Sequence, residues 1–306
     1  EAIDSVLAQT RMADEIVIVD DGSSDGSQDL IRDYERLHPG LIKALLHERN
    51  QGIPRNKNSG FQAASCEWVT YCDGDDRFLP EKLEHDCATI ESNPDADIVF
   101  SDFYRIDLDG NRLNRWAEHA TPPTGDVYVS VLAREFPQGT LFRNEVVRKS
   151  LLAGVGYMDP QFAMYHDWEL RIRLTQQGKT AYCPLPLAEY RDCPEGISKA
   201  GREKHFDEFY RIRRKHSIAI HALPADNYMR VSRSLDRFMQ RFAIQSVRDR
   251  LRGQPLSLTS RFIAAKLYLQ QCRYAHAPPQ IRVVTKIFLV PQRLRYLLGG
   301  NQAQIL

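Results

Sequence analysis

The chain has 306 residues, 26% charged and 42% hydrophobic, a composition that fits a folded globular protein and excludes disorder or low complexity. No run of about 18 apolar residues occurs, so the sequence predicts no transmembrane helix, and it predicts no signal peptide. The net charge of +1 hides a split, because residues 201–306 hold 20 Lys and Arg against 6 Asp and Glu, while residues 1–200 hold 21 against 34; different work is expected of the two parts, an N-terminal domain over 1–200 and a basic C-terminal region over 201–306.

Ala2, Ile3, Val6 and Leu7 form one face of a helix. If strands and helices alternate, that helix follows a strand lying before Glu1. Glu15–Asp20 is a short β-branched run, as expected of a buried parallel strand, and it ends in Asp20-Asp21-Gly22-Ser23-Ser24-Asp25-Gly26. Helical spacing follows through Leu30, Ile31 and Tyr34, with Ser24 or Ser27 as N-cap. Leu41–Leu46 reads as a second strand, Asn56–Ala64 as a helix and Trp68–Cys72 as a third strand. That strand runs into Asp73-Gly74-Asp75-Asp76. Glu81–Ile90 is expected to be helical and Ile98–Tyr104 a strand, which gives a parallel α/β sheet.

Three carboxylates as close as Asp73, Asp75 and Asp76 repel one another unless a positive group sits among them. A hard divalent cation, Mg²⁺ or Mn²⁺, with open positions for diphosphate oxygens meets that need. An acidic turn accounts for the same residues without chemistry. In α/β sheets ligands bind beyond the carboxyl ends of the strands, where Asp20-Asp21 and the Asp73–Asp76 cluster both fall. Asp20-Asp21 reads either as another turn or as an acceptor for a base N–H or ribose hydroxyls.

Pro122-Pro123, Gly125, Pro137 and Gly139 mark connections, Asn144–Leu152 is expected to be a helix, and Gly154–Asp159 a glycine-bearing loop. His166-Asp167-Trp168-Glu169-Leu170 opens a helix to Gln177, stopped by Gly178. An Asp in a first turn also serves simply as a partner of the helix dipole. Trp116, Tyr128, Phe136, Phe142, Tyr157 and Tyr165 are either sugar-stacking or core residues, and His119 and Arg143 stay open. Beyond residue 201 the spacing of Leu235, Phe238, Met239 and Phe242, and of Phe262, Ile263, Leu267 and Leu269, is helical. Ile281–Leu298 mixes apolar residues with Arg282, Lys286, Arg293 and Arg295, which fits either an anionic membrane face or a helical cap. The six cysteines, at 66, 72, 87, 183, 193 and 272, make no CxxC pair and read as reduced thiols of a cytoplasmic protein, peripheral at the inner membrane face on the membrane reading.

Five elements in order carry a resemblance over roughly residues 1–200. Glu1–Thr10, Val19–Ser27, the set Asn50, Gly52, Asn58 and Gly60, Asp73-Gly74-Asp75, and Gly156–Asp159 followed by His166-Asp167 together resemble a family 2 glycosyltransferase of the GT-A fold. The resemblance implies a mostly parallel sheet flanked by helices, its first strand before Glu1, and a C-terminal helical region beyond. It implies an inverting, metal-dependent transfer from a nucleotide-diphospho-sugar, a UDP-sugar, to a hydroxyl of a glycan or lipid-linked acceptor in surface polysaccharide synthesis. Asp21 would contact the base with Asp20 supporting it, Asp73 the ribose, and Asp75 a Mn²⁺ or Mg²⁺ on the diphosphate. Asn50, Lys57 and Arg191 would complete the donor site. Asp167, a carboxylate of ordinary pKa, would be the base.

Departures from the family pattern are Asn56-Lys57 for a usual Ala-Arg, His166 for Glu or Gln, and Asp192 or Cys193 for the histidine that often follows Tyr190-Arg191. Lys57 offers a point charge where Arg offers a fork. A non-catalytic scaffold or glycan-binding module, docked on membranes or acidic partners, is the alternative. No GxxxxGK[ST] or GxGxxG loop occurs, which argues against P-loop and dinucleotide enzymes, and no nucleic-acid partner is expected. A sugar nucleotidyltransferase is excluded only in part, since its diagnostic loop would precede Glu1.

Overall fold

A computed structural model of the protein describes residues 1–193, 202–251 and 269. The chain divides into two compact units, Glu1–Ser198 and Lys199–Leu306. In the first unit the elements run α1 (Ala2–Leu7), β1 (Ile16–Asp20), α2 (Ser27–Leu37), β2 (Ile42–Leu46), α3 (Ile53–Ala63), β3 (Trp68–Val69), β4 (Arg77–Phe78), α4 (Lys82–Ser92), β5 (Ile98–Ile106), β6 (Arg112–Arg115), α5 (Tyr128–Ala133), β7 (Val146–Arg148), α6 (Lys149–Gly154), α7 (His166–Gln177) and β8 (Thr180–Arg191).

The sheet is mixed. β1 and β2 form a parallel pair of their own, with Ile16 opposite Ile42 and Asp20 opposite Leu46, so Asp20 sits at the carboxyl end as expected. The other strands make one sheet in the order β3-β7-β5-β8-β4, with β6 beside β5. There β5 and β8 are parallel, whereas β3–β7, β4–β8, β5–β6 and β5–β7 are antiparallel. Connection length explains part of the departure from a mostly parallel sheet. A parallel crossover needs a dozen or more residues, and only residues 107–111 join β5 to its antiparallel partner β6.

Three boundaries differ from the sequence reading for local reasons. The N-cap of α2 is Gly26, at φ 91°, and Ser27 is already helical, its N–H and hydroxyl both donating to Asp25 Oδ1 at 3.1 and 2.6 Å. Helix α3 begins at Ile53, ahead of Asn56, with Pro54 in its first turn, where a fixed φ and a missing N–H cost nothing. Asn144–Leu152 is not one helix. Val146 and Val147 pair with β5 and β3 as β7, in keeping with their β-branched side chains, and helix starts only at Lys149.

The core gathers on β5, whose Ile98, Val99 and Phe100 have no exposed surface. Phe100 stacks on Phe142 with ring centroids 4.4 Å apart, and Phe103 stacks on Trp116 at 5.3 Å. Trp116, Phe136 and Phe142 are therefore core residues, while Tyr128, Tyr157 and Tyr165 stay partly open.

In the second unit, helices α8 (Arg202–Lys215), α9 (Ser217–His221) and α10 (Ala225–Leu251) are described. Phe209, Ile212, Val231 and Leu235 are buried, Phe209 stacks on Phe238 at 4.3 Å, and Arg213 pairs with Asp236 at 2.7 Å. The side chains of Met239 and Phe242, the Phe262–Leu267 segment, Cys272 and the mixed basic stretch Ile281–Leu298 lie outside the described residues. Among the described residues no helix is long and apolar enough to cross a membrane, and the five described cysteines are free thiols.

Candidate functional site

The loops after β1 and β2 are bound into one wall by the first acidic pair. Asp20 Oδ1 accepts hydrogen bonds from the Gly22 and Ser23 N–H groups at 3.1 and 2.9 Å and from Gln28 Nε2 at 2.8 Å. Burial opposes its charge, yet the donors from Ser23, Gln28 and Gly22 outweigh burial and hold its carboxyl below the usual range. Asp21 spans to the other loop, Oδ1 accepting from Gln51 N–H at 2.8 Å and Oδ2 from Gly52 N–H at 2.9 Å. The same Gly52 N–H meets Asn50 Oδ1 at 3.0 Å. Gly22 is required where these loops meet: its φ is 79°, and a Cβ there would lie 2.7 Å from the Arg49 carbonyl carbon.

Helix α3 links this wall to the second acidic cluster. Its Lys57 lies with Nζ 2.6 Å from Asp73 Oδ1 and 3.9 Å from the centre of the Tyr71 ring. The next residue of α3, Asn58, grips the loop after α6, donating from Nδ2 to Met158 C=O at 2.8 Å and accepting from Met158 N–H at 2.9 Å. The expected strand Trp68–Cys72 keeps only two residues in the sheet, because Asn144 takes over the rest. Its Nδ2 donates to Tyr71 C=O at 3.0 Å, and its carbonyl accepts from the Thr70 hydroxyl at 3.2 Å.

Beyond Tyr71 the chain turns through Asp73–Asp76. Gly74 and Asp75 are exposed, and Asp75 Oδ2 has the Cys193 thiol 3.7 Å away. Asp76 is buried and accepts from Arg191 N–H at 3.0 Å. Burial, with the charges of Asp73 and Asp75 beside it, pushes the Asp76 carboxyl up to about 7. Burial, again with carboxylates nearby, pushes the Cys72 thiol up to about 12.

Arg191, expected among donor-binding residues, is placed under this turn. Its Nε donates to Asp75 C=O at 2.9 Å, Nη1 to the carbonyls of Asp107 and Leu108 at 3.3 and 2.8 Å, and Nη2 to Glu1 Oε2 at 2.7 Å. So placed, it fixes the path of the acidic turn.

Asp167 stands in the first turn of α7, with 30% of its side chain exposed, and Arg171 one turn on donates from Nη1 to its Oδ2 at 2.7 Å. The other Arg171 nitrogen, Nη2, reaches Glu145 Oε2 at 2.8 Å and the Tyr71 hydroxyl at 3.0 Å. Burial opposes the charge on Asp167, but Arg171, His166, Arg143 and Arg134 together hold it well below the usual carboxylate range. The ordinary pKa expected of this residue is thus corrected. The cause is its position among arginines from three parts of the chain, Arg134 after α5, Arg143 before β7 and Arg171 in α7. His166 is buried with Nδ1 3.1 Å from Ala163 C=O, and burial lowers its pKa.

A continuous path of contacts therefore joins the expected residues. From Asp21 it passes through Gly52 and α3 to Lys57, then Asp73 and Tyr71, then Arg171 and Asp167. Tyr71, Glu145 and Arg171 were missed in the sequence, although Asp167 and Arg171 at i,i+4 in a helix are a readable pair.

Among the described residues no cluster of three His, Cys, Asp or Glu side chains is placed to hold a metal ion. A Mg²⁺ or Mn²⁺ shared with a diphosphate needs only one or two carboxylates, and the exposed Asp75, beside Asp73 and Asp76, fits that lesser requirement.

Residues 1–151 match the sequence model described as Glycosyl transferase family 2. An uncharacterized glycosyltransferase of Nostoc sp. is 32% identical over 205 residues, which cover 64% of this chain and 58% of that protein. The uncharacterized glycosyltransferase YwdF of Bacillus subtilis is 26% identical over 237 residues, 74% of this chain and 82% of that one. The chain thus spans less than two thirds of the Nostoc relative. Among solved structures, S. aureus TarS 1-349 in complex with UDP-GlcNAc superposes with a TM-score of 0.62 at 16% identity, covering 96% of this chain and 87% of that one. At that identity the likeness is one of fold, and it makes the α/β architecture a GT-A-type fold.

Proposed function

Residues 1–151 of this chain belong to glycosyl transferase family 2, and from that premise we propose that the protein is an inverting transferase. It moves a sugar from a nucleotide-diphospho-sugar, a UDP-sugar, to an acceptor hydroxyl in the making of a surface polysaccharide or related glycan. The observation that carries this reading is the contact path that brings Asp167 and the Asp73–Asp75 turn to one site through Tyr71, Lys57 and Arg171. The UDP and UDP-GlcNAc complexes of the structurally similar TarS support a uridine nucleotide as the donor's carrier.

In this reading Asp167 takes the proton of the acceptor hydroxyl as that oxygen bonds to the anomeric carbon and the nucleoside diphosphate leaves from the opposite face. Its arginine neighbours keep it ionised throughout the neutral range. Asp21 has each oxygen on one backbone N–H and a further lone pair on each for a base N–H. Asp73, already paired with Lys57, offers its remaining lone pairs to ribose hydroxyls. Asn50 and Asp20 hold the wall that Asp21 presents. Asp75 would hold a divalent cation, which when bound neutralises charge on the diphosphate. Arg191 shapes the turn from behind.

The test is Asp167→Asn in the full chain, assayed for transfer and donor hydrolysis with a panel of UDP-sugars and Mn²⁺. Loss of a base is worth roughly 10²–10⁴ in rate, and the expected result is a fall of that order with UDP binding retained. Turnover like wild type would remove Asp167 as the base, and a wild-type chain that neither transfers nor hydrolyses any donor would leave a binding module in its place.

A further inference from the structure

Arg143 is a cation of this site whose described partner is a ring. Among the described residues it makes no hydrogen bond or ion pair; its guanidinium lies over the Tyr190 ring, 3.8 Å from the centre. The other cations around the acidic turn and Asp167 are engaged. Lys57 is paired with Asp73, Arg191 with three carbonyls and Glu1, and Arg171 with Glu145, Tyr71 and Asp167. Arg134 lies against the Tyr165 and Trp168 rings, 5.5 and 5.0 Å from their centres.

Its backbone is fixed on both sides. Phe142 is locked into the core stack on Phe100, and Asn144 is tied to Thr70 and Tyr71 at the end of β3. The side chain thus starts from a rigid point and is stiffened by an aromatic face, which lowers the entropy lost when it takes a ligand. Asp167 and Asp76 both act on Arg143 electrostatically, so it lies within reach of both halves of the site. A fork of N–H donors within reach of a proton-accepting carboxylate and of an acidic turn matches a phosphate at the point where the sugar is released.

We propose that Arg143 binds the terminal phosphate of the donor's nucleoside diphosphate and holds it as the sugar departs. This rests on the sugar-nucleotide reading above. The role is one expected of Lys57 or Arg191 from the sequence, and Arg143 assumes it because Lys57 is held in its ion pair with Asp73 and Arg191 by three carbonyls and Glu1.

Calorimetric titration of the full chain with UDP, UMP and uridine in Mn²⁺ tests it, using wild type, Arg143→Gln and Arg143→Lys. A charge-assisted hydrogen bond lost to the terminal phosphate weakens UDP binding by about tenfold or more. Expected is that loss for UDP in Arg143→Gln, a smaller loss in Arg143→Lys, and UMP and uridine affinities near wild type in both. Should Arg143→Gln fail to fold by thermal melting, Arg143→Lys keeps charge and stem and carries the same comparison. Unchanged UDP affinity in a folded variant overturns the assignment, as does an equal loss for all three ligands. A wild-type chain that binds none of the three sinks the sugar-nucleotide reading and this one with it.

Discussion

Replacing Arg171 and Glu145 together by glutamine isolates what the arginine does for Asp167. Arg171 and Glu145 are 1% and 4% exposed and 2.8 Å apart, so removing the arginine alone strands a buried carboxylate. Breaking such a pair costs about 3–5 kcal/mol, a large part of a domain's stability, whereas neutralising both partners often costs little. The double variant keeps hydrogen-bonding groups and deletes the cation beside Asp167. At an effective dielectric of ~20, charges ~4 Å apart interact by about 4 kcal/mol. Asp167 is 30% open to water, so less than half of that, about 1.5–2 kcal/mol, is a fair share. That corresponds to a rise of a little over one pH unit in the acid limb of turnover, at about 1.36 kcal/mol per unit. The sign follows from linkage. A carboxylate whose folded pKa is depressed adds stability that is fully present above its unfolded value of ~3.9 and is lost as pH falls toward the folded value. The variant should therefore be less stable at neutral pH, and because the unfolded carboxyl is common to both chains the gap closes only as pH falls through the variant's own depressed folded value. Donor turnover and urea denaturation, each carried from about pH 7 down to about pH 2, read both effects. A folded double variant whose acid limb and pH-dependent stability match wild type would refute this account of Asp167.

Asp75→Ala is expected to abolish the Mn²⁺-dependent part of UDP binding in calorimetry, and an unchanged affinity in Mn²⁺ would contradict a metal at Asp75. Asp76→Asn tests the crowding of the acidic turn in metal-free buffer. The Asp76 carboxyl is raised to about 7 by burial and by Asp73 and Asp75, so the folded protein loses stability as pH rises from ~4 through 7. The asparagine variant, whose Oδ1 still accepts from Arg191 N–H, should gain in melting temperature relative to wild type between pH 5 and pH 8. A constant difference across that range would argue against a raised Asp76.

The fold was legible wherever a local pattern decides the outcome. Ile16–Asp20 becomes a strand because its β-branched run leaves little else, and α7 ends at Gly178 as its spacing predicts. Sheet direction was not legible, because β3, β4 and β7 are two or three residues long and their pairing is set by tertiary partners. Asn144, at φ 51°, gives no sequence signal for the two hydrogen bonds by which it replaces the ladder at Thr70 and Tyr71.

The candidate site shows the same limit in chemical form. Asp20, Asp21, Asp73, Asp75, Asp76 and Asp167 are one residue type in short acidic motifs, and spacing alone treats them alike. What separates them is where their lone pairs go. Asp20 gives one oxygen to three donors and is structural, and Asp76, buried beside like charges, is pushed toward its neutral form. Asp75 keeps an exposed carboxylate in a turn whose backbone Arg191 fixes, and Asp167 keeps an exposed edge while Arg171 holds its charge. The cations divide by the same rule. Lys57, Arg171 and Arg191 look like ligand-binding residues by charge, yet each is held by carboxylates or carbonyls in building the site, and Arg143, which no motif singles out, lies only against a ring. A motif therefore locates the chemistry here, and the hydrogen-bond inventory assigns it.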